Sequence, residues 1–455
     1  MIEIVTIETP SLGDRSYVAT DGDVAIVVDP QRDVDRVIDV LAERGVTVTH
    51  VLETHVHNDY VTGGWALADR LGATYVLQAD ERMAVPFHGV RDGDVLTTGG
   101  LTVEAVATPG HTPTHLSYVL RDAEGRAVAV FTGGSMLFGS VGRPDLIDEA
   151  LTRELAEAQF RSVRRLADEL PDDAEVHPTH GFGSHCSATQ AAKRSSTIGE
   201  ERADNPALVT DDVETFVREL LAGLTPYPTY YAQMGALNRL GPTGFEPASP
   251  AALDLDAVIG VLEDGGWVLD LRSRQAFCRS HLRGTVNVEV RNDLPENVGW
   301  VVPFDVDLVL VADDPRDIAE AQRMLARIGY DRLAGEARYG ELGVDGHARH
   351  GSYHRANFAA LAEVPADERV VLDVRDAWEW DSGHHPDAVH IPFHELDERA
   401  DELPLDRQVW IYCATGARAT VAASLLAARG YDPVLVDDFC LPGDVPGVVP
   451  AEVGG

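Results

Sequence analysis

Val409-Trp410-Ile411-Tyr412-Cys413-Ala414-Thr415-Gly416-Ala417-Arg418 is an apolar run that ends on a thiol and passes through small residues into the Ala-rich stretch 419–429. The apolar run has strand character and the stretch after it has helical periodicity. A strand that turns tightly into a helix is half of a parallel α/β unit. The loop between them sits at a strand C-terminus and a helix N-terminus, where backbone N–H groups and the helix dipole favour an anion. A thiolate on Cys413, the nucleophilic form of the side chain, is favoured there. Gly416 allows the loop to curl so that its amides converge. Ala414, Thr415, Gly416 and Ala417 form the expected substrate-binding loop, and Arg418 is the expected holder of an oxyanion on the incoming substrate.

Working outward, Val371-Leu372-Asp373-Val374-Arg375 repeats Val268-Leu269-Asp270-Leu271-Arg272 at an offset of 103, which also pairs Trp380 with Phe277 and His384 with His281. Further on, Gly430-Tyr431-Asp432 answers Gly329-Tyr330-Asp331 at an offset of 101, so the second copy is two residues shorter in between. Each copy reads as strand, short helix, strand and amphipathic helix (318–328 and 419–429), the pattern of a parallel sheet covered by helices. The Gly- and His-rich stretch 340–352 is the expected linker between the copies. In the first copy the equivalent strand, 307–311, runs into Ala312-Asp313-Asp314-Pro315. The counterpart of Cys413 therefore falls between Leu310 and Ala312, with no thiol and with two acidic side chains that would repel an anion. Cys278 lies on the first helix of that copy and is expected to be a packing residue.

The chain has 455 residues, 37 Lys and Arg against 75 Asp and Glu, and a net charge of -38. That length predicts two to four domains. The charge argues against nucleic acid, whose phosphates need cationic neutralisation, and against anionic membrane surfaces. No run approaches the ~20 apolar residues needed to span a bilayer. The N-terminus, Met1-Ile2-Glu3-Ile4-Val5, reads directly as a strand with no signal peptide. Cys186, Cys278, Cys413 and Cys440 are widely spaced without a CxxC pair, which fits a reducing cytoplasm.

The first 240 residues are richer in short strands (2–7, 16–19, 24–29, 48–53), with helices after Asp33, Gly64 and Leu151. Pro242-Thr243-Gly244-Phe245-Glu246-Pro247-Ala248-Ser249-Pro250 breaks all periodicity and marks a boundary. In Thr54-His55-Val56-His57-Asn58-Asp59-Tyr60, two imidazoles alternate after a strand and reach a common point, with Asp59 following. Thr108-Pro109-Gly110-His111 and Pro178-Thr179-His180 bring further imidazoles. Cys186 lies just beyond His180, either as a second thiol beside this pocket or as an inert buried cysteine. Arg143 either holds the anionic end of a thiol cofactor or pairs with Asp145.

Cys413-x-x-Gly416-x-Arg418, with Leu372-Asp373-Val374-Arg375 and Gly383-His384 upstream, resembles the active loop and signature of a rhodanese over residues 355–440. The resemblance implies that Cys413 takes a sulfane sulfur from thiosulfate or a persulfide and passes it on. It assigns structural roles to Asp373, Arg375 and His384. The first copy resembles an inactive rhodanese, expected to serve as a spacer or docking surface. Residues 1–235 resemble the metallo-β-lactamase fold, and within it the persulfide dioxygenases and glyoxalase II-like hydrolases. The matching pieces are the 54–59 loop, Thr62-Gly63-Gly64, His111-Thr-Pro-Thr-His-Leu-Ser-Tyr118, Phe131-Thr132-Gly133 and Gly142-Arg143-Pro144-Asp145. This order of domains resembles bacterial persulfide-oxidising fusion enzymes.

Two positions depart from the family pattern. Tyr60 stands where HxHxDH ends in histidine, and Thr132-Gly133-Gly134 stands where Thr-Gly-Asp supplies a carboxylate ligand. Carried over, the dioxygenase's iron-binding histidines fall on His55 and His111 and its carboxylate on Gly134, which has no donor. What remains is His55, His57 and His111 as a three-nitrogen set, with Asp59 and His180 nearby. Such a set is expected to hold one metal ion, Fe(II) or zinc, with reduced affinity.

The expected fold is multidomain α/β: an αββα metallo-β-lactamase fold over 1–245, an inactive rhodanese-like domain over 250–345 and an active one over 353–455. The expected function is cytoplasmic sulfur trafficking through a Cys413 persulfide, with a low-molecular-weight thiol as substrate carrier and thiosulfate or a persulfide as partner. Neither nucleic acid nor membrane is expected as a partner, and self-association stays open. Two alternatives stand for the N-terminal domain: a zinc-dependent thioester hydrolase, or a non-catalytic module that feeds sulfur to Cys413.

Overall fold

The computed structural model describes residues 2–189 and 193–440; the end of the expected third domain, 441–455, lies outside them. The chain divides into two compact units, Met1–Glu246 with Leu325–Gly329, and Pro247–Met324 with Tyr330–Gly455.

In the first unit, alternation of apolar and polar residues along short strands builds two six-stranded sheets. One sheet runs Glu3–Thr9, Asp14–Thr20, Val24–Val28, Thr47–Leu52, Thr74–Gln78 and His88–Val90. The other runs Ser196–Thr197, Glu175–Pro178, Ala127–Gly133, Leu116–Arg121, Leu101–Ala107 and Val95–Thr98. Their facing sides share one core that includes Tyr17, Ile26, Leu52 and Val76 from the first sheet and Val103, Leu116, Tyr118 and Phe131 from the second. Helices Asp35–Arg44 and Gly64–Leu71 cover the outer face of the first sheet through Val37, Leu41 and Leu67. Helices Thr152–Glu169 and Val213–Ala222 cover the second through Phe160, Val163, Leu166 and Phe216. The layers are therefore αββα, as expected, and the loops after Leu52, Ala107 and Pro178 carry the predicted histidines.

The second unit holds two separate parallel sheets with the same strand order. The first copy runs Val286–Asn287, Trp267–Asp270, Leu308–Ala312, Leu333–Arg338. The second runs Ala388–His390, Arg369–Asp373, Gln408–Tyr412, Asp432–Val436, with His354–Ala356 added at the edge. The repeated motif makes repeated contacts. Arg272 grips Asp270 at 2.9 and 2.6 Å and the Ser280 carbonyl at 2.9 Å; Arg375 grips Asp373 and the Gly383 carbonyl at the same distances. His281 stacks on Phe277 with centroids 4.2 Å apart, and His384 stacks on Trp380. Asp373, Arg375 and His384 thus tie a strand end to the loop that follows it.

Register also locates the counterpart of the nucleophile. Asp373 pairs with Tyr412, and Asp270 with Val311. The residue after Val311 is Ala312, so alanine stands in the first copy where Cys413 stands in the second. Two local expectations are corrected. Stretch 340–352 is no free linker: Tyr339–Leu342 is helical and His350–Gly351 pairs antiparallel with His281–Leu282, closing back onto the first copy. The helix after Cys413 begins at Ala417, two residues earlier than expected, with Gly416 as its cap.

Candidate functional site

His55, His57, His111 and His180 come together in the first unit, all at most 3 % exposed. Each ring has one nitrogen tied outward. His55 Nδ1 lies 2.9 Å from Thr54 Oγ1, and His111 Nδ1 lies 2.8 Å from the Arg143 carbonyl. His57 Nε2 lies 3.1 Å from Glu53 and 3.3 Å from Asp29, and His180 Nδ1 lies 3.0 Å from both Asp14 and Asp59. Two of the other nitrogens face each other. His55 Nε2 is 3.5 Å from His180 Nε2, and ligand atoms of His55, His57 and His180 all lie within 4.8 Å of one another. His57 Nδ1 and His111 Nε2 are buried without a hydrogen-bond partner.

Outer carboxylates and carbonyls that fix tautomer and ring direction are what a metal-binding imidazole requires. His55, His57 and His180 therefore fit a metal ion, and His111 joins His180 and Cys186 in an adjoining group. A carboxylate at position 134 does not fit. An ideal Cβ on Gly134 would lie 2.6 Å from His111 Cγ and 2.8 Å from its Nε2, and closer still to Cδ2. The imidazole of His111 fills the volume that a side chain there would need.

Electrostatics separates the four rings into two pairs. Burial drives His55 and His111 toward the neutral form, His111 down to about 3. Burial also opposes charge on His57 and His180, but Asp29 and Glu53 push His57 up to about 10, and Asp59 and Asp14 push His180 up to about 9. Burial in turn raises Glu53 and Asp14 to about 7. Without a cation, two protonated imidazoles neutralise this buried acidic shell; a bound metal ion would take over that charge.

The outer shell was not read from the sequence. Asp14, Asp29 and Glu53 are isolated acids in a chain with 75 acidic residues, and no periodicity distinguishes them. His115, whose Nε2 accepts from the Gly134 amide at 3.0 Å and whose ring stacks on His55, was present only as part of a matching stretch. One backbone signal accompanies them: Asp29 holds a left-handed conformation at φ 49, its carboxylate accepting from Thr54 N and Oγ1, both at 2.7 Å. Tyr60, the departure from HxHxDH, stacks on His57 at 4.4 Å and donates to the Asp29 carbonyl at 3.3 Å.

Cys186 is fully buried, and its sulfur lies within 4.8 Å of ligand nitrogens of His111 and His180. Burial, then the charges of Asp59 and Asp14, hold it as a neutral thiol. Arg143 pairs with Asp145 at 2.7 and 2.8 Å and donates to the His185 carbonyl at 3.2 Å, and its side chain is 3 % exposed.

In the second unit, Cys413 ends the Gln408–Tyr412 strand, and its sulfur accepts from Gly416 N at 3.1 Å and Ala419 N at 3.4 Å. Gly416 reaches this geometry at φ +86, a conformation that suits glycine. Ala414, Thr415 and Gly416 form the loop and Ala417 opens the helix. Arg418 already holds two carboxylates. It donates to Glu379 at 2.6 and 2.9 Å and to Asp376 at 3.0 Å, while Asp376 and Glu379 form the capping box of helix Ala377–Asp381. Arg418, half-buried, thus braces two helix starts.

Residues 358–438 match the model of the rhodanese-like domain. Human mitochondrial persulfide dioxygenase ETHE1 is 30% identical over 209 residues, covering 46% of this chain and 73% of that protein. The probable polyketide biosynthesis zinc-dependent hydrolase BaeB of Bacillus velezensis is 31% identical over 170 residues, covering 35% of this chain and 68% of that protein. A crystal structure of a metallo-β-lactamase from Staphylococcus aureus subsp. aureus COL superposes with a TM-score of 0.66 at 29% identity, covering 74% of this chain and 99% of the other. The chain belongs to the metallo-β-lactamase-fold family that includes the ETHE1 persulfide dioxygenases, and it carries a rhodanese domain toward its C-terminal end.

Proposed function

We propose that the protein is a sulfane-sulfur transferase of three domains (1–245, 250–345 and 353–455), with Cys413 as the sulfur carrier. The observation that carries this reading is the pair of amides, Gly416 and Ala419, directed at the Cys413 sulfur. The thiolate attacks the outer sulfur of thiosulfate, the S–S bond breaks, and sulfite leaves with the bonding pair. A nucleophilic acceptor then attacks the outer sulfur of the Cys413 persulfide and restores the thiolate. A low-molecular-weight persulfide would serve as donor in the same way, its thiol carrier leaving. The first copy, with Ala312 at the nucleophile position, takes no part in this covalent chemistry.

The first domain would hold one metal ion through His55, His57, His111 and His180, with Asp59 behind His180, and act on a small thiol-bound substrate. The metal, when bound, would supply Lewis-acid polarisation. Burial keeps His55 and His111 neutral as donors, while Glu53, Asp29 and Asp14 orient His57 and His180. Two readings divide here. Persulfide oxidation follows the likeness to ETHE1. Zinc-dependent hydrolysis of an acyl-thiol is favoured by the all-nitrogen inner set and by the crowding at Gly134. A reducing cytoplasm suits the four free cysteines, and no helix among the described residues is long and apolar enough to cross a membrane.

The test is thiosulfate:cyanide sulfur transfer by wild type and Cys413→Ser, beside metal analysis, O₂ uptake with a persulfide and hydrolysis of an acyl-thiol. Retention of most transfer activity by Cys413→Ser would refute the carrier assignment. Stoichiometric iron with rapid O₂ uptake would refute the zinc reading.

A further inference from the structure

The peptide joining Thr415 to Gly416 is used at both ends. Its N–H lies 3.1 Å from Cys413 Sγ, and its carbonyl accepts a 3.1 Å hydrogen bond from Arg274 Nη2. Arg274 belongs to the first copy, where it opens helix Arg274–Arg279. At the repeat offset of 103 the second copy has Ala377, so its own equivalent position offers no guanidinium.

Arg274 is held from several sides. Its Nη1 donates to Glu289 at 2.6 Å, its backbone N–H donates to the other oxygen of Glu289 at 2.9 Å, and its Nε donates to Asp437 at 2.6 Å. Asp437 is fixed in turn by Arg355 at 2.6 Å and by its own N–H on the Ala356 carbonyl at 2.9 Å. The side chains of Arg274, Glu289 and Asp437 are 19%, 16% and 11% exposed, so the cluster is largely out of water. An added Cβ on Gly416 would meet Asp437 Oδ1 at 2.7 Å and Arg274 Nε at 3.0 Å.

This clamp matters because of what it clamps. Gly416 has no side chain to resist rotation, so the 415–416 peptide is the unit of the loop that turns over most cheaply. A half-turn would replace the N–H facing the sulfur with a carbonyl oxygen, and a donor to the thiolate would become a repelling dipole. A cation on the carbonyl opposes that rotation, and it polarises the amide so that the N–H becomes a stronger donor.

We propose that Arg274 of the thiol-free first copy is a positioning residue for the Cys413 loop, holding the Thr415–Gly416 peptide with its N–H on the sulfur. This rests on Cys413 being the sulfur-accepting nucleophile. The first copy thereby supplies the active loop with a charge that the second copy lacks.

A purely structural Arg274 would tie the copies together and affect stability alone. The test therefore reads the thiol itself, as the pH dependence of Cys413 alkylation by iodoacetamide in the full chain, followed on the Cys413 peptide by mass spectrometry. Arg274→Met should alkylate about five- to ten-fold more slowly at pH 7, the loss expected for one charge-assisted hydrogen bond. Its profile should move to higher pH, with an unchanged limiting rate in alkali. Arg274→Gln, which can still bond Asp437 but is too short to span to Thr415 as well, should move the same way, and it decides the matter if the Met variant does not fold. A wild-type profile in either folded variant overturns the proposal. Persulfide formation from thiosulfate is measured alongside. If wild type forms none on Cys413, the carrier reading fails, and the alkylation profiles still decide whether Arg274 positions the loop.

Discussion

The imidazole of His111 occupies the space into which a side chain on residue 134 would project, with an ideal Cβ on Gly134 falling 2.6 Å from His111 Cγ. The absent ligand and the placement of the His111 ring are thus one feature. The sequence alone suggests that Gly134→Asp would restore a carboxylate to the metal site. The structure predicts the opposite: the new side chain must displace His111, whose Nδ1 is anchored on the Arg143 carbonyl. Overpacking of this kind costs about 1–3 kcal/mol, before any cost of burying the carboxylate. Gly134→Asp should melt at a lower temperature than wild type and bind no more iron, as read by thermal denaturation and elemental analysis.

His57 and His180 should be needed for metal retention, because each supplies an inward nitrogen backed by buried carboxylates. His57→Ala leaves Asp29 and Glu53 facing one another without a cation. That variant should lose both bound metal and stability, the latter by about 3 kcal/mol if the acids stay ionised. Zinc titration with a chelator as competitor, beside denaturant unfolding, measures both.

Arg418→Ala should act on the fold as well as on sulfur transfer. It strips the guanidinium from Glu379, whose side chain is 4% exposed, and breaking such a pair costs about 3 kcal/mol. Arg418→Lys, which keeps the charge but not the bidentate grip, should lie between wild type and Ala in urea denaturation.

His281 makes the second unit sensitive to acid. Burial beneath Phe277 and Tyr353 lowers it to about 4, against an ordinary value near 6.5. The folded state keeps the ring neutral while the unfolded chain takes up a proton, so its contribution is complete above about pH 6.5 and is lost as the pH falls to about 4. The difference is worth roughly 3 kcal/mol. His281→Asn, which can keep a hydrogen bond to the Phe277 carbonyl, should flatten that part of the stability-pH profile.

The parts of this molecule legible in the sequence were those with period or repetition. The Asp-x-Arg motifs at 270–272 and 373–375 announced two equivalent sheets, and the apolar run before Cys413 announced a strand ending on a thiol. The histidines were legible because imidazoles alternating in a loop are rare. The ion pair of Arg418 is not legible in the sequence, because the spacing of Arg418 from Cys413 shows proximity but not the partner holding it. Glu379, the partner, is 39 residues away in sequence and carries no signal of its own. Arg274 was invisible for the same reason: its bond to Thr415 spans 141 residues. The buried acids Asp14, Asp29 and Glu53 are distinguished from surface acids only by the fold.

The central claim is that Cys413 carries sulfur. It is tested most directly by mass spectrometry of the full chain after brief exposure to thiosulfate, with peptide mapping under non-reducing conditions. The account predicts a gain of one sulfur atom, located on Cys413, removed by cyanide and absent from Cys413→Ser. A chain that gains no sulfur, or gains it on Cys186, Cys278 or Cys440 while Cys413 stays a free thiol, would contradict it.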